Sequence, residues 1–209
     1  MLPFTNYQIA TATELPPIQA AMYEYWMGGN GVFIRAKRQG LSVTIHVASC
    51  NIRGLAPIQT EFNLEYPLIP AALLGTMLER SQLNGSKEIL FHLNFTDGEW
   101  HLEQPNQIAS TTSCKPISAP LQSSYERAIV EVHSHHLLSD RFSNIDDSEE
   151  TGFRIFAVLG TIFTNPTIRV RVGAYNHFWE IPASWVFEIP NQIGDSVVRE
   201  TRERKCNSI

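Results

Sequence analysis

The sequence has little cysteine: three residues in 209, Cys50, Cys114 and Cys206, far apart and without a C-x-x-C pair. An odd, scattered set excludes a disulfide framework and a cysteine-built zinc site, and it fits a reducing cytoplasm. Charge is sparse as well, at 18% of residues, and tilts acidic, with 21 Asp+Glu against 16 Lys+Arg and a net charge of -5. No basic stripe can neutralise a phosphate backbone, so nucleic acid is not an expected partner. No run approaches the roughly 20 apolar residues that span a bilayer, and the first residues lack the basic and apolar regions of a signal peptide, so no membrane partner is expected. Internal repeats and long low-complexity tracts are missing too, which excludes solenoids and arrays. What remains is 43% hydrophobic, the composition of one packed domain with or without an appendage.

Turn residues and changes of hydrophobic period divide the chain into residues 1–66, 67–190 and 191–209. In the first region short β-like runs at 31–35 and 41–47 alternate with breaks such as Gly28-Gly29-Asn30-Gly31, which predicts meandering strands. Residues 18–26 read as a possible helix within it. From Tyr66 the pattern changes: Pro67 and Pro70 precede a stripe of Leu73, Leu74, Met77 and Leu78, with Asn84-Gly85 as a stop, and this predicts a helix. Residues 88–95 and 99–102 flank a Thr-Asp-Gly turn and predict a hairpin. Residues 104–124, rich in Ser, Thr, Pro and Gln, predict a surface loop able to cover a site. Residues 128–135 read as a strand, 143–150 as a short helix opened by a capping serine, and 153–163, 168–175 and 177–181 as further strands. The polar end, from about Asn191, reads as a solvated tail.

The stretch from Glu131 to Asp146 carries the chemistry. On a strand, residues two apart share a face, so His133 and His135 can present both imidazoles to one point. Seven histidines in 209 residues produce a His-x-His by accident in about one such chain in four, so the pair alone says little. Ser143 and Asp146 stand three apart, nearly one turn, and face the same way at a helix start. Two imidazoles and a carboxylate leave one tetrahedral position open, the pattern of a catalytic zinc, where a structural zinc is closed by four protein ligands.

The full spacing, His133-Ser-His135, seven residues, Ser143, two residues, Asp146, resembles the motif of the JAB/MPN (JAMM) zinc metallopeptidases, prokaryotic JAB type, which cut at the C-terminal end of ubiquitin or ubiquitin-like proteins. Composition produces that spacing by accident in roughly 4 chains in 10,000. The resemblance covers residues 67–190, and the chain as a whole also resembles the JAB-type proteins of bacterial PRTRC cassettes, encoded beside a ThiF/E1-like protein. It implies an α+β fold (α/β mixed): a cytidine-deaminase-like core with a central mixed β-sheet flanked by helices, here with an N-terminal β-rich extension. It also implies Zn2+ as cofactor, held by His133, His135 and Asp146. The family's upstream glutamate corresponds by order and context to Glu88, although Ile89-Leu-Phe-His92 replaces the family's small residues; Glu131, Glu61 and Glu65 are the rivals. His136 stands where the family often has proline and reads as a polar residue at a strand end. His46, His92, His101 and His177 have no ligand-like spacing.

The chemistry so implied is metal-assisted amide hydrolysis. Zinc would acidify a water, Glu88 would act as general base and then acid, and Ser143 would donate a hydrogen bond to the developing oxyanion. The expected partners are a ubiquitin-like protein or peptide substrate, a ThiF/E1-like protein and a second copy of the chain as a homodimer. A second reading, from a different class, is a scaffold that binds a ubiquitin-like or ThiF/E1-like partner with little or no catalysis.

Overall fold

The structure, a computed structural model, describes residues 3–117, 124–136 and 139–198. Cys206, residues 118–123 of the expected loop and residues 199–209 of the expected tail lie outside the described residues. The chain divides into two compact units. The first holds Met1–Tyr66 with Thr151–Phe153 and Val172–Trp179, and the second holds Pro67–Glu150, Arg154–Arg171 and Glu180–Ile209.

The first unit is a five-stranded sheet in chain order: β1 (Thr5–Ile9), β2 (Tyr23–Gly28), β3 (Gly31–Arg38), β4 (Leu41–Ser49) and β5 (Glu61–Leu64). β1 runs parallel to β2, and the other pairs are antiparallel. Of residues 18–26, suggested as helix by the sequence, 18–22 are irregular and 23–26 belong to strand β2. Tyr23, Tyr25 and Met27 alternate with the buried Glu24, Trp26 and Gly28, the period of two that favours a pleated ribbon. Ala10, Trp26, Phe33 and Ile58 make the core under this sheet. Glu24 is buried among them and accepts hydrogen bonds from Trp26 Nε1 at 2.8 Å and from the Gln19 amide at 2.7 Å.

The second unit opens with α1 (Ala71–Leu83), which buries Leu74, Met77, Leu78 and Ser81, one stripe at helical spacing. Gly85, at φ +68, adopts the left-handed conformation that ends helices and that residues with a Cβ resist. The strands β6 (Leu90–Thr96) and β7 (Glu99–Glu103) follow as a hairpin. Residues expected as loop form instead a small separate hairpin, β8 (Gln107–Ala109) with β9 (Cys114–Pro116). Next along the chain come α2 (Ser124–Arg127), β10 (Val130–His135), α3 (Asn144–Glu149), β11 (Phe153–Gly160), β12 (Thr167–Ala174), β13 (His177–Ile181), a 3-10 turn (Ala183–Trp185) and β14 (Gly194–Asp195), of which Phe153, Val172–Ala174 and His177–Trp179 belong to the first unit. The main sheet runs β13-β12-β11-β10-β6-β7, with β14 pairing β12. Residues 194–195 of the expected tail are therefore paired. β10 is parallel to β11 and antiparallel to β6, so the crossover from β10 to β11 carries α3.

The expected α+β class, with a JAB/MPN-type core of a central sheet flanked by helices, is corrected. The fold is mostly β, with strand in 43% and helix in 15% of the described residues. Two features account for the excess of strand. The segments between 124 and 152 close α2 and α3 after four and six residues, too short to cover a sheet face. β11 is buried at every residue, and β12 at all but its first, which is how long runs of β-branched and apolar residues behave in a sheet interior. Among the described residues no helix is long and apolar enough to cross a membrane.

Candidate metal centre

The site is built at the C-terminal end of β10. Register sets the first pieces: His133 lies opposite Leu90 of β6, and Glu131 opposite His92. Glu88 comes two residues before Leu90. Its segment is pinned by Ser134 N–H donating to the Ile89 carbonyl at 3.1 Å, by Ile89 N–H donating to Ser134 Oγ at 3.2 Å, and by the Glu88 amide donating to the Ser110 carbonyl at 2.8 Å. On β11, Gly160 lies beside His135. A Cβ there would meet the Asp140 backbone nitrogen at 2.3 Å, so only glycine lets the chain leaving β10 pass this close.

α3 supplies the carboxylate. Ser143 is its N-cap: Ser143 Oγ accepts from the Asp146 amide at 3.2 Å, and the Ser143 amide donates to Asp146 Oδ2 at 2.5 Å, a reciprocal capping box. The Ser-x-x-Asp spacing thus has a local cause, helix capping; Asp146 joins the group around His133, while Ser143 itself is exposed at the helix start. With Oδ2 held by the cap, Asp146 Oδ1 lies 3.2 Å from His133 Nε2.

His133, His135 and Asp146 form one group whose ligand atoms lie within 4.8 Å of one another. The two Nε2 atoms are 3.1 Å apart, close to the edge of about 3.3 Å expected for two nitrogens on a tetrahedral zinc with 2.0–2.1 Å bonds. The Ser139 carbonyl, 3.0 Å from His135 Nδ1, can only accept. Nδ1 therefore carries the proton and Nε2 turns a lone pair into the site, the arrangement that orients metal-ligating imidazoles. The donor set fits a borderline cation such as zinc.

Electrostatics describe the same place from the metal-free side. Burial lowers the pKa of His133, but the hydrogen bond and charge of Asp146, helped by Glu150 and Glu88, raise it above the ordinary value. Burial works against the Asp146 carboxylate, yet the His133 hydrogen bond and charge and the Ser143 contacts pull its pKa far down. His135 is lowered by burial and by the charge of His133. His133 and Asp146 thus stabilise each other's charged forms across their 3.2 Å contact.

Glu88 is 2% exposed, and its Oε1 lies 3.9 Å from His135 Nε2. Burial pushes its carboxyl up to about 7, with His133 opposing and Asp146 and Glu149 adding. A carboxyl poised there can take or give a proton near neutrality. The rivals stand elsewhere. The Glu131 carboxylate is paired with Arg154 at 3.3 Å and lies 3.6 Å from His92 Nε2, while Glu61 and Glu65 are exposed residues of the first unit. His92 is fully buried, with Nδ1 2.8 Å from Ser124 Oγ. His136 is buried, and its Nε2 has no hydrogen-bond partner among the described residues.

The cavity over these groups has a volume of about 20 Å³, room for one water. Ser113 and Cys114 from the β8–β9 hairpin and Ile145 from α3 line it together with Glu88, His133 and Asp146. Sequence reasoning missed Cys114, whose thiol pKa is pushed up by burial and by the surrounding carboxylates. It missed Glu149 and Glu150 as well. Glu150, on the cavity wall, is pushed up to about 8 by burial against the opposing pull of Arg171. The composition of 144–150, four carboxylates in seven residues, was the available signal, and it reads equally as a solvated helix start. A scan of the chain against protein-family models finds no match, and a search of curated proteins finds none either.

Proposed function

We propose that this chain is a zinc-dependent metallopeptidase of the JAMM type that hydrolyses an amide bond, peptide or isopeptide, at the C-terminal end of a ubiquitin-like protein. The observation that carries the reading is the convergence of His133, His135 and Asp146 beside a buried Glu88, with Glu88, His133 and Asp146 lining a cavity that has room for one water. Zinc, when bound, supplies Lewis acidity, acidifying a water and polarising the substrate carbonyl.

The chain's own residues do the rest. Glu88 accepts a proton at its carboxylate and returns it to the leaving amine nitrogen, which a carboxyl with a pKa near 7 does in either direction. His135 keeps its Nε2 lone pair aimed inward because Ser139 holds Nδ1–H. Asp146 keeps Oδ1 toward His133 because the Ser143 amide holds Oδ2. Ser143 Oγ accepts from the Asp146 amide, which leaves its O–H to donate to the carbonyl oxygen as negative charge develops there. Ser113 and Cys114 of the β8–β9 hairpin wall the cavity beside Glu88. The scattered thiols favour a cytoplasmic setting.

One observation favours a second reading. A cavity of about 20 Å³ admits no polypeptide, as in a scaffold that binds a ubiquitin-like or ThiF/E1-like partner and turns over little. The deciding assay incubates the zinc-loaded chain with ubiquitin-like proteins fused through their C-terminal Gly-Gly to a reporter. Release of the reporter, abolished by chelator and by Glu88→Gln, is expected. Binding of the fusion without release would transfer the assignment to the scaffold.

A further inference from the structure

The helix that carries Asp146 has six residues and buries none of them. A helix this short has negligible stability of its own, and no apolar face fixes its position. The buried contact that fixes it comes from β12, beside the exposed Lys115–Glu149 pair from β9. Arg171 is 4% exposed and reaches both ends of α3. Its Nη1 lies 2.5 Å from Asp147 Oδ1 in the first turn, and its Nε and Nη2 lie 2.7 and 2.6 Å from Glu150 Oε2 at the C-cap. The guanidinium carbon also sits 3.9 Å from the centroid of the Phe142 ring, immediately before the N-cap serine.

We propose that Arg171 is a positioning residue for the metal centre: it clamps α3 at both ends and so holds the Asp146 carboxylate against His133. The inference rests on the reading of His133, His135 and Asp146 as a metal site. Arginine suits the task because its planar fork bonds two carboxylates in fixed directions while its face stacks on an aromatic ring, and lysine offers only a point charge. The contacts of Arg171 reach the site through α3, by position at Asp146 and by charge through Glu150, whose carboxylate acts on His133.

The test measures zinc affinity of the full chain by competition with a chromogenic chelator, and the visible spectrum of the Co2+-loaded protein. Wild type is compared with Arg171→Lys, Arg171→Met, Asp146→Ala and His133→Ala, each also melted without metal. Arg171→Lys keeps the charge and loses the fork. It is expected to weaken zinc binding about 10-fold and to alter the Co2+ bands, with Arg171→Met approaching 100-fold, the usual range for groups that orient a metal ligand. Neither loss should exceed that of Asp146→Ala. If Arg171→Met does not fold, the lysine variant decides alone.

An Arg171→Lys protein that melts lower yet binds zinc within twofold of wild type, with an unchanged Co2+ spectrum, would show a merely structural role and overturn the proposal. So would a loss larger than that of Asp146→Ala. Wild type that binds zinc no better than His133→Ala would instead sink the metal reading itself, a pattern distinct from either.

Discussion

The two units bury different things. The first unit buries Trp26, Phe33 and Ile58, and its one deeply buried charge among the described residues, Glu24, is satisfied by an indole, backbone amides and Arg35 at 3.7 Å. The second unit buries Glu88, His133, His135, Glu150 and Arg171, and several of these are pushed off their ordinary protonation. Charge taken out of water is costly, and removing one partner of a buried pair typically costs 3–5 kcal/mol. Such a concentration of perturbed groups beside one strand end is what makes the second unit the candidate for chemistry, whereas Glu24, with its partners all close by, ties together local structure.

The most severe way to break the comparison is His133→Ala. It removes one of the three proposed ligands, and bound zinc measured by elemental analysis should fall to near zero. Glu88→Gln should leave zinc in place and cut turnover on a ubiquitin-like fusion by about 10²–10⁴-fold, the usual contribution of a general base; normal turnover would move the role to another group.

Metal-free stability should depend on pH in a direction opposite to that of ordinary acidic proteins. Folded Glu88 titrates near 7 against an ordinary 4.5, so the folded state holds a proton that the unfolded chain releases. Stability therefore falls as pH rises from 4.5 to 7, by at most on the order of 3 kcal/mol from this group, and Glu150, near 8, extends the fall upward. Urea titrations with chelator at pH 5.5 and 8.5 would register it, and Glu88→Gln should flatten its share.

Glu24→Ala sharpens the contrast from the other side. It leaves the Trp26 indole and the Gln19 amide without their acceptor and should cost roughly 2–3 kcal/mol in urea unfolding, with zinc content unchanged. The smallest effect belongs to the exposed Lys115–Glu149 pair, 2.8 Å apart, which ties β9 to α3 beside the cavity. At ~0.5 kcal/mol, Lys115→Glu should speed thiol labelling of Cys114 a few-fold in a Cys50→Ser, Cys206→Ser background.

Local signals in the sequence carried the elements that place the site. The stripe of Leu73, Leu74, Met77 and Leu78 predicted α1, with Leu73 half-buried and the other three buried, the Thr-Asp-Gly turn predicted β6 and β7, and the serine ahead of Asp146 predicted the cap of α3. Tyr23 to Trp26 misled because aromatic residues suit either period, and the sheet around them decided. The fold class failed because short helices are legible one at a time, while the share of strand depends on how long each helix runs before it stops. Arg171 was not legible as a clamp. Its partners lie 21 and 24 residues away in sequence on another element, and no periodicity links a strand arginine to a helix carboxylate across a crossover. Cys114 escaped for the same reason, since a hairpin and not a motif brings it to the cavity.

The central claim is that His133, His135 and Asp146 hold zinc. Zinc per chain, measured by elemental analysis on protein purified without chelator beside the His133→Ala variant, tests it most directly. The account predicts about one zinc in the wild type and almost none in the variant. A wild type empty of zinc even after dialysis against it would contradict the account.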